Sequence, residues 1–389
     1  MTAGPAPSPA ELLRRAEALL PRLRERAPAA ERARRISDET MAEFFDAGFH
    51  KVMQPTRFGG YGYGHDLSAE LVRTVATACG SSGWVTNLAT MHNWQVSLFP
   101  LEAQEEYWAN SHDVFSSTAS FAPRSELEAV SGGYRLSGRW KFASGADFAR
   151  WFIIMKPSQQ CLDWFLIPRE DVTIVDDWFV SGLCATGSKD IVLDDVFVPR
   201  HRVVGFQDLI AGRTPGGLLH DSPFSHLSFV LPGVWGIPAA IIGMVTGMAE
   251  ALQQTLVGKR LLFSGEKQVD RVANQIALAE ALTNIHAAEL MMRHRLDEMR
   301  DWDKAGGPPD EIQGMHSQRD AAYVARLMGR TANAISIAGG ANSAYLANPI
   351  QRFLRDVNVA VTHVSLNWEE IAESYGRAKW GLPPKLPAA

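Results

Sequence analysis

Cysteine is scarce in this chain. Three occur in 389 residues, Cys79, Cys161 and Cys184. No two are spaced as a redox or metal-binding pair, so neither a disulfide framework nor a zinc site is implied, and a reducing cytoplasm is the expected setting. No apolar run reaches the length expected of a membrane span. Neither sign of charge is in excess: 38 Lys and Arg stand against 43 Asp and Glu, a net −5, which gives no reason to expect nucleic acid or an anionic membrane as partner. The segment Met1-Thr-Ala-Gly-Pro-Ala-Pro7 has no basic head or apolar core, so it is not expected to be a secretory signal but a frayed tail. Familiar catalytic signatures are missing too. There is no phosphate-binding loop, and Gly60-Tyr-Gly-Tyr-Gly64 has neither the dinucleotide spacing nor a strand before it. Gly80-Ser-Ser-Gly83 has the wrong spacing for a nucleophile elbow. No two histidines have metalloprotease spacing, and His220 and His226 share a loop without an obvious third ligand, so no metal is expected.

What is present is a three-part texture, in a chain long enough for two or three packed units. Residues 1–116 read as helical, with Leu12, Ala16, Leu19 and Leu23 on one face and a helix from Met41 that stops at Gly48. Residues 117–215 change period: Tyr134, Leu136, Trp140 and Phe142 alternate along one strand, and short apolar runs at 151–155, 164–167, 172–175, 191–193 and 196–198 make a small antiparallel β unit. Residues 216–389 are helical again, with long segments at 239–262, 269–303, 317–339 and 349–380 that suggest a four-helix bundle. The irregular stretch Gly205–Pro238 between them has the length and composition of a lid or pocket wall.

The last segment carries a lone imidazole. Val357, Val361, Val364, Trp368, Ile371 and Tyr375 repeat at helical spacing, and His363 falls at the edge of that face. A titratable ring there is either a core-boundary histidine bonded to a carbonyl or the wall of a reaction site. Earlier in the chain Trp84 and Asn87 share a helix face by spacing, and His92, followed by Trp94, is either a helix-end histidine or a pocket residue.

The residues then meet a known pattern. Phe58-Gly-Gly60, Gly80-Ser-Ser-Gly-Trp84, Ser137-Gly-Arg-Trp-Lys-Phe-Ala-Ser-Gly145, Gly182-Leu-Cys-Ala-Thr-Gly-Ser-Lys-Asp190, Arg260-Leu-Leu-Phe-Ser-Gly265, Ala338-Gly-Gly340 and Leu354-Arg-Asp356 follow in order. In that order the chain resembles the acyl-CoA dehydrogenase superfamily, and within it the two-component flavin-dependent monooxygenases. The resemblance implies an N-terminal helical domain, a middle antiparallel β-barrel and a C-terminal four-helix bundle. Dehydrogenases of the common type carry a carboxylate base eight residues after the Arg-Asp aspartate; here that position is Val364, with His363 beside it. Glu369 and Glu370 lie too far along to replace it. Glu289, which interrupts an apolar stripe, is either a base on another helix or an ion pair with Arg293, the reading favoured by its spacing.

The resemblance further implies reduced flavin (FMNH2 or FADH2) delivered by a separate NAD(P)H:flavin reductase. O2 adds to it as a C4a-hydroperoxide that must be shielded from water, and an aromatic or other electron-rich small molecule is hydroxylated. His363 would act as base and control peroxide protonation, with a pKa near neutral. Ser144 would bond the flavin N5, and the helix that bears Trp84, Asn87, His92 and Trp94 would line the substrate pocket. Phe121, Trp140 and Phe142 would lie against the ring, although Ser125 stands where the family has glycine. Arg260, Phe263, Gly339 and Gly340 would hold the phosphate or dinucleotide end of a flavin shared between subunits, which implies a homotetramer. The alternatives are a dehydrogenase-like flavoprotein and a catalytically silent flavin-binding homologue.

Overall fold

A computed structural model describes residues 6–158, 161–220, 222–307 and 310–385 of the chain. Most of the expected N-terminal tail lies outside them. Five helices come first: α1 (Pro9–Ala33), α2 (Asp38–Ala47), α3 (His65–Ala76), α4 (Gly80–Ser97) and α5 (Leu101–Trp108). The Ser8 hydroxyl accepts the Glu11 amide to start α1, whose buried side is the one read from spacing, continued by Ala27 and Ala30. α2 begins at a Ser37 cap and ends at Gly48, which takes the left-handed conformation there (φ 79).

Among the described residues eight strands follow: β1 (Ser116–Ala119), β2 (Ser125–Val130), β3 (Gly133–Ala143), β4 (Trp151–Ser158), β5 (Cys161–Pro168), β6 (Thr173–Val175), β7 (Lys189–Pro199) and β8 (Val203–Val204). They form two four-stranded sheets, ordered β1-β4-β5-β8 and β2-β3-β7-β6. Pairing is antiparallel as expected, except that β1 runs parallel to β4. The β3–β7 register shifts between Trp140 and Ala143, and Phe142 takes φ 66. The expected alternation therefore fails at its last member: Leu136 and Trp140 are buried, while the bulge turns Phe142 outward.

The remaining helices are α6 (Phe206–Ile210), α7 (Val230–Gly233), α8 (Gly236–Leu256), α9 (Val272–Ala305), α10 (Glu311–Gly339), α11 (Pro349–Ala360) and α12 (Trp368–Lys379). One apolar core joins the N-terminal helices to the sheets, and a second fills the bundle together with Ala69, Val72 and Ala76 of α3. α3 lies directly on α8: a Cβ at Gly243 or Gly247 would sit 2.2 Å from the carbonyl oxygens of Arg73 and Thr77. The stretch Val230–Leu256 does reach spanning length with an apolar composition, contrary to expectation, but it is largely enclosed as the central helix of the bundle.

The expected helix over 349–380 is in fact two. Val359, Val361, Thr362 and Val364 are β-branched and poor helix formers, and the Thr362 hydroxyl turns back to the Val359 carbonyl (2.8 Å). His363 is extended (φ −61, ψ 136), and Asn367 then caps α12. The predicted apolar face breaks there: Val364 is 75% exposed, and Leu366 fills the core in its place.

The Gly205–Pro238 stretch is tied down as a wall. Asp303 accepts the amides of Phe224 and His226, the His220 ring bonds Gln104 (2.7 Å), and Ser317 bonds both the Leu231 carbonyl and the Trp235 indole.

Candidate active site

The site is assembled where α4, the Ala143–Gly145 turn and the α11–α12 break meet. Trp84 joins the two residues that the sequence singled out. Its indole N–H donates to the Ser144 hydroxyl (3.2 Å), and its ring lies 5.9 Å from the His363 ring. Ser144 is held from several sides. The Ser117 hydroxyl donates to its carbonyl (2.7 Å), and its own hydroxyl lies 2.6 Å from that of Ser188, which lies 2.6 Å from that of Thr186. The loop carrying Thr186 and Ser188 is docked on α11. A Cβ at Gly182 would sit 2.1 Å from the Arg355 carbonyl oxygen, and Asp356 accepts the Leu183 amide (2.6 Å). Burial pushes the Asp356 carboxyl up to about 7, against the pull of the Leu183 amide and Arg352.

The two histidines differ in tautomer. Nδ1 of His363 lies 2.8 Å from the Ser365 hydroxyl and 3.3 Å from the Ser365 amide; an amide can only donate, so the pair assigns Nδ1 as acceptor of both and the proton to Nε2. His92 is the reverse: Nδ1 donates to the Ser116 carbonyl (2.6 Å), leaving Nε2 as an acceptor beside the Thr118 hydroxyl (3.3 Å). Desolvation pushes each ring down to about 4, so both are neutral at pH 7. This corrects the expectation of a near-neutral pKa for His363. The structure gives it a hydrogen-bond donor at Nε2, and the acceptor nitrogen, facing Thr118, belongs to His92.

Phe142 and Phe121, both more than half exposed, lie with ring centres 6.3 Å apart, and Trp178 meets Phe142 edge-on at 6.2 Å. Exposed rings beside a buried hydroxyl are suited to cover a planar aromatic ligand.

Other predicted residues are not in this cluster. Trp140 is wholly buried, its indole bonded to the Met155 carbonyl, so its ring cannot face a cofactor. Asn87 packs against Gly236 of α8, in a small recess lined also by His65, Met91 and Trp235. Trp94 packs edge-on against His65 (4.4 Å) inside the core. Arg260 and Phe263 stand on the protruding α8–α9 connection, where Phe263 is 99% exposed, and Gly339 and Gly340 end α10. Glu289 pairs with Arg73 at 3.0 Å and more distantly with Arg293 at 3.9 Å, so it is a structural ion pair. Thr118, Thr186 and Ser188 were not singled out: a hydroxyl carries no periodic signal, and only the fold shows what it faces.

Two other features stand apart. A groove of about 650 Å³ between α1, α3 and α9 shares no residue with the cluster, and its charges are largely paired among themselves, as in Arg293 with Glu70 and Arg300 with Asp66. Glu102, Glu106 and His201 lie within 4.8 Å of one another, but Glu106 is already paired with Arg202.

Comparison with known proteins settles the family. Residues 235–368 match the model of the acyl-CoA dehydrogenase C-terminal domain. Over 382 residues the chain is 36% identical to the oxygenase subunit HsaA of a flavin-dependent monooxygenase from Rhodococcus jostii, covering 95% of this chain and 98% of that one. The chain belongs to the flavin-dependent monooxygenases of the acyl-CoA dehydrogenase superfamily. This monooxygenase is also 33% identical over 409 residues to the oxygenase component of an FADH2-dependent resorcinol hydroxylase from Rhizobium, covering 98% of both chains. The crystal structure of a 3-HSA hydroxylase from Rhodococcus sp. RHA1 superposes with a TM-score of 0.91 at 33% identity, covering 97% of this chain and 98% of that one. The cluster fits the family's group: a buried hydroxyl beside exposed rings, three aromatic side chains and a ring N–H from His363 are chemistry suited to a flavin.

Proposed function

We propose that this monooxygenase hydroxylates a phenol-like aromatic small molecule, using reduced flavin delivered by a separate NAD(P)H:flavin reductase. The observation that carries this is the meeting of Ser144 and His363 across Trp84, with the acceptor nitrogen of His92, against Thr118, on the same helix as Trp84. Reduced flavin, when bound, supplies the two electrons that activate O2. The protein's own groups do the rest. Phe121, Phe142 and Trp178 cover the ring system, and the Ser144 hydroxyl meets its N5 edge. The Nε2–H of His363 donates to the oxygen being transferred. Trp84 closes the space between them to water, which favours transfer over loss of hydrogen peroxide.

The substrate's phenolic proton passes through the Thr118 hydroxyl to Nε2 of His92. A phenol titrates near pH ~10, far above an imidazole at about 4, so the proton moves during oxygen transfer rather than before it. Arg260, Phe263, Gly339 and Gly340 serve the far end of a flavin held in a neighbouring subunit, in a homotetramer of three-part chains divided near residues 116 and 215. The exposure of Leu262 and Phe263 supports that reading. The free thiols of Cys79 and Cys184 suit the cytoplasm.

The test is to give the purified chain photoreduced FMN or FAD, O2 and a panel of phenols, and to look for hydroxylated products by mass spectrometry. Product with either flavin supports the proposal. If instead the protein reduces an electron-acceptor dye with an acyl-CoA thioester and oxygenates nothing, it is a dehydrogenase. Light scattering should give four chains per particle.

A further inference from the structure

The hydroxyls behind Ser144 form a chain whose direction can be worked out. Thr186 lies 2.8 Å from the Leu183 carbonyl oxygen, which can only accept, so the Thr186 proton goes there. A hydroxyl has one proton. Thr186 therefore accepts from Ser188, and Ser188 accepts from Ser144, each at 2.6 Å. The Trp84 N–H, a donor only, already points at the Ser144 oxygen. The reverse order would leave the Thr186 and Leu183 oxygens facing each other at 2.8 Å with no proton between them. All three hydroxyls are at least nine-tenths buried, so bulk water does not offer Ser144 a competing arrangement.

We infer that Thr186 and Ser188 are positioning residues that commit the Ser144 proton inward, so that Ser144 meets the flavin as an acceptor and the site selects reduced over oxidised flavin. The inference rests on the proposed contact between Ser144 and N5. Reduced flavin carries a hydrogen on N5 and can donate to Ser144. Oxidised flavin has a bare lone pair there and needs a donor. Ser144 can become one only if the whole chain reverses, with loss of the bond to Leu183. An enzyme that receives its flavin already reduced gains from this: the spent, oxidised flavin is released and the fresh, reduced one retained.

The test is anaerobic titration of the full chain with FMN and FAD, each oxidised and dithionite-reduced, followed by tryptophan fluorescence. The wild type should bind the reduced form more tightly. In Thr186→Val and Ser188→Ala the Ser144 proton is freed, and the ratio of the two Kd values should shift roughly tenfold toward the oxidised form, the worth of about one hydrogen bond. That shift equals a fall of about 30 mV in the two-electron potential of the bound flavin. Thr186→Ser keeps the hydroxyl and should restore the wild-type ratio. An unchanged ratio in both Thr186→Val and Ser188→Ala, with tight flavin binding, overturns the relay and leaves the proposed function standing. A shift in Thr186→Ser equal to that in Thr186→Val overturns it too, because the methyl group would then be responsible. A wild type that binds neither flavin in either state removes the function and the relay together.

Discussion

His92 and His363 are both neutral, both desolvated and both in reach of one helix, yet their backbone partners give them opposite tasks. A carbonyl at Nδ1 leaves His92 an acceptor, while an amide at Nδ1 makes His363 a donor. Substitutions should separate the two. His363→Leu should release more hydrogen peroxide per flavin oxidised while leaving the affinity for a phenol unchanged. His92→Asn should slow product formation by about a hundredfold, the usual size of a lost general base, with less effect on peroxide leakage. Product and peroxide, measured together in single turnovers, would show it, and identical profiles for the two variants would refute the division of roles. Between pH 5.5 and 8 neither ring should contribute a titration to the rate, since both change charge near 4. The resemblance placed His363 beside Val364, the position where a dehydrogenase carries its carboxylate. It could not show the tautomer, which depends on an amide brought near by a break in the helix.

That break is the main lesson at the scale of the element. Apolar spacing over 349–380 continues in phase through it, because Val357 and Ile371 do face the core. What interrupts it is local competition from Thr362, His363 and Asn367 for backbone partners, which periodicity does not weigh. The bulge at Phe142 is similar: strand and alternation were legible, but a one-residue shift turned an expected core ring toward solvent. Loop docking was not legible at all. Gly182 looks like any turn glycine, yet it lies against the α11 backbone and sets the loop that bears Thr186 and Ser188. Gly182→Ala should push that loop away. A loss of about 1–3 kcal/mol in urea unfolding is expected, together with weaker flavin binding. Unchanged binding would mean that the loop position does not matter to the site.

For the molecule as a whole, the three-part architecture was readable because long helices and short strands differ in period. Its acid response is a property of the whole chain. Burial holds His50, His92 and His363 near 4 and His65 near 3, against an ordinary 6.5. Between about pH 6.5 and 4 the unfolded chain takes up protons that the folded one refuses, so stability present above 6.5 is lost as pH falls through that window. Asp356, held up near 7, acts oppositely between 3.8 and 7, and burial raises Asp190 in the same direction, but the four histidines outnumber them. Urea midpoints should therefore fall from pH 7 to pH 5, and less steeply in His65→Phe. A midpoint that rises over that range would contradict the burial of these rings.

The most direct test follows the oxygen atom. The chain is mixed with photoreduced flavin, a phenol and 18O2, with no reductase present. The expected result is one 18O in the hydroxylated product for most flavin molecules oxidised, falling to hydrogen peroxide alone in Ser144→Ala. Oxidation of all the flavin by the wild type to hydrogen peroxide, with no 18O in any phenolic product, would contradict the proposed hydroxylation of phenols.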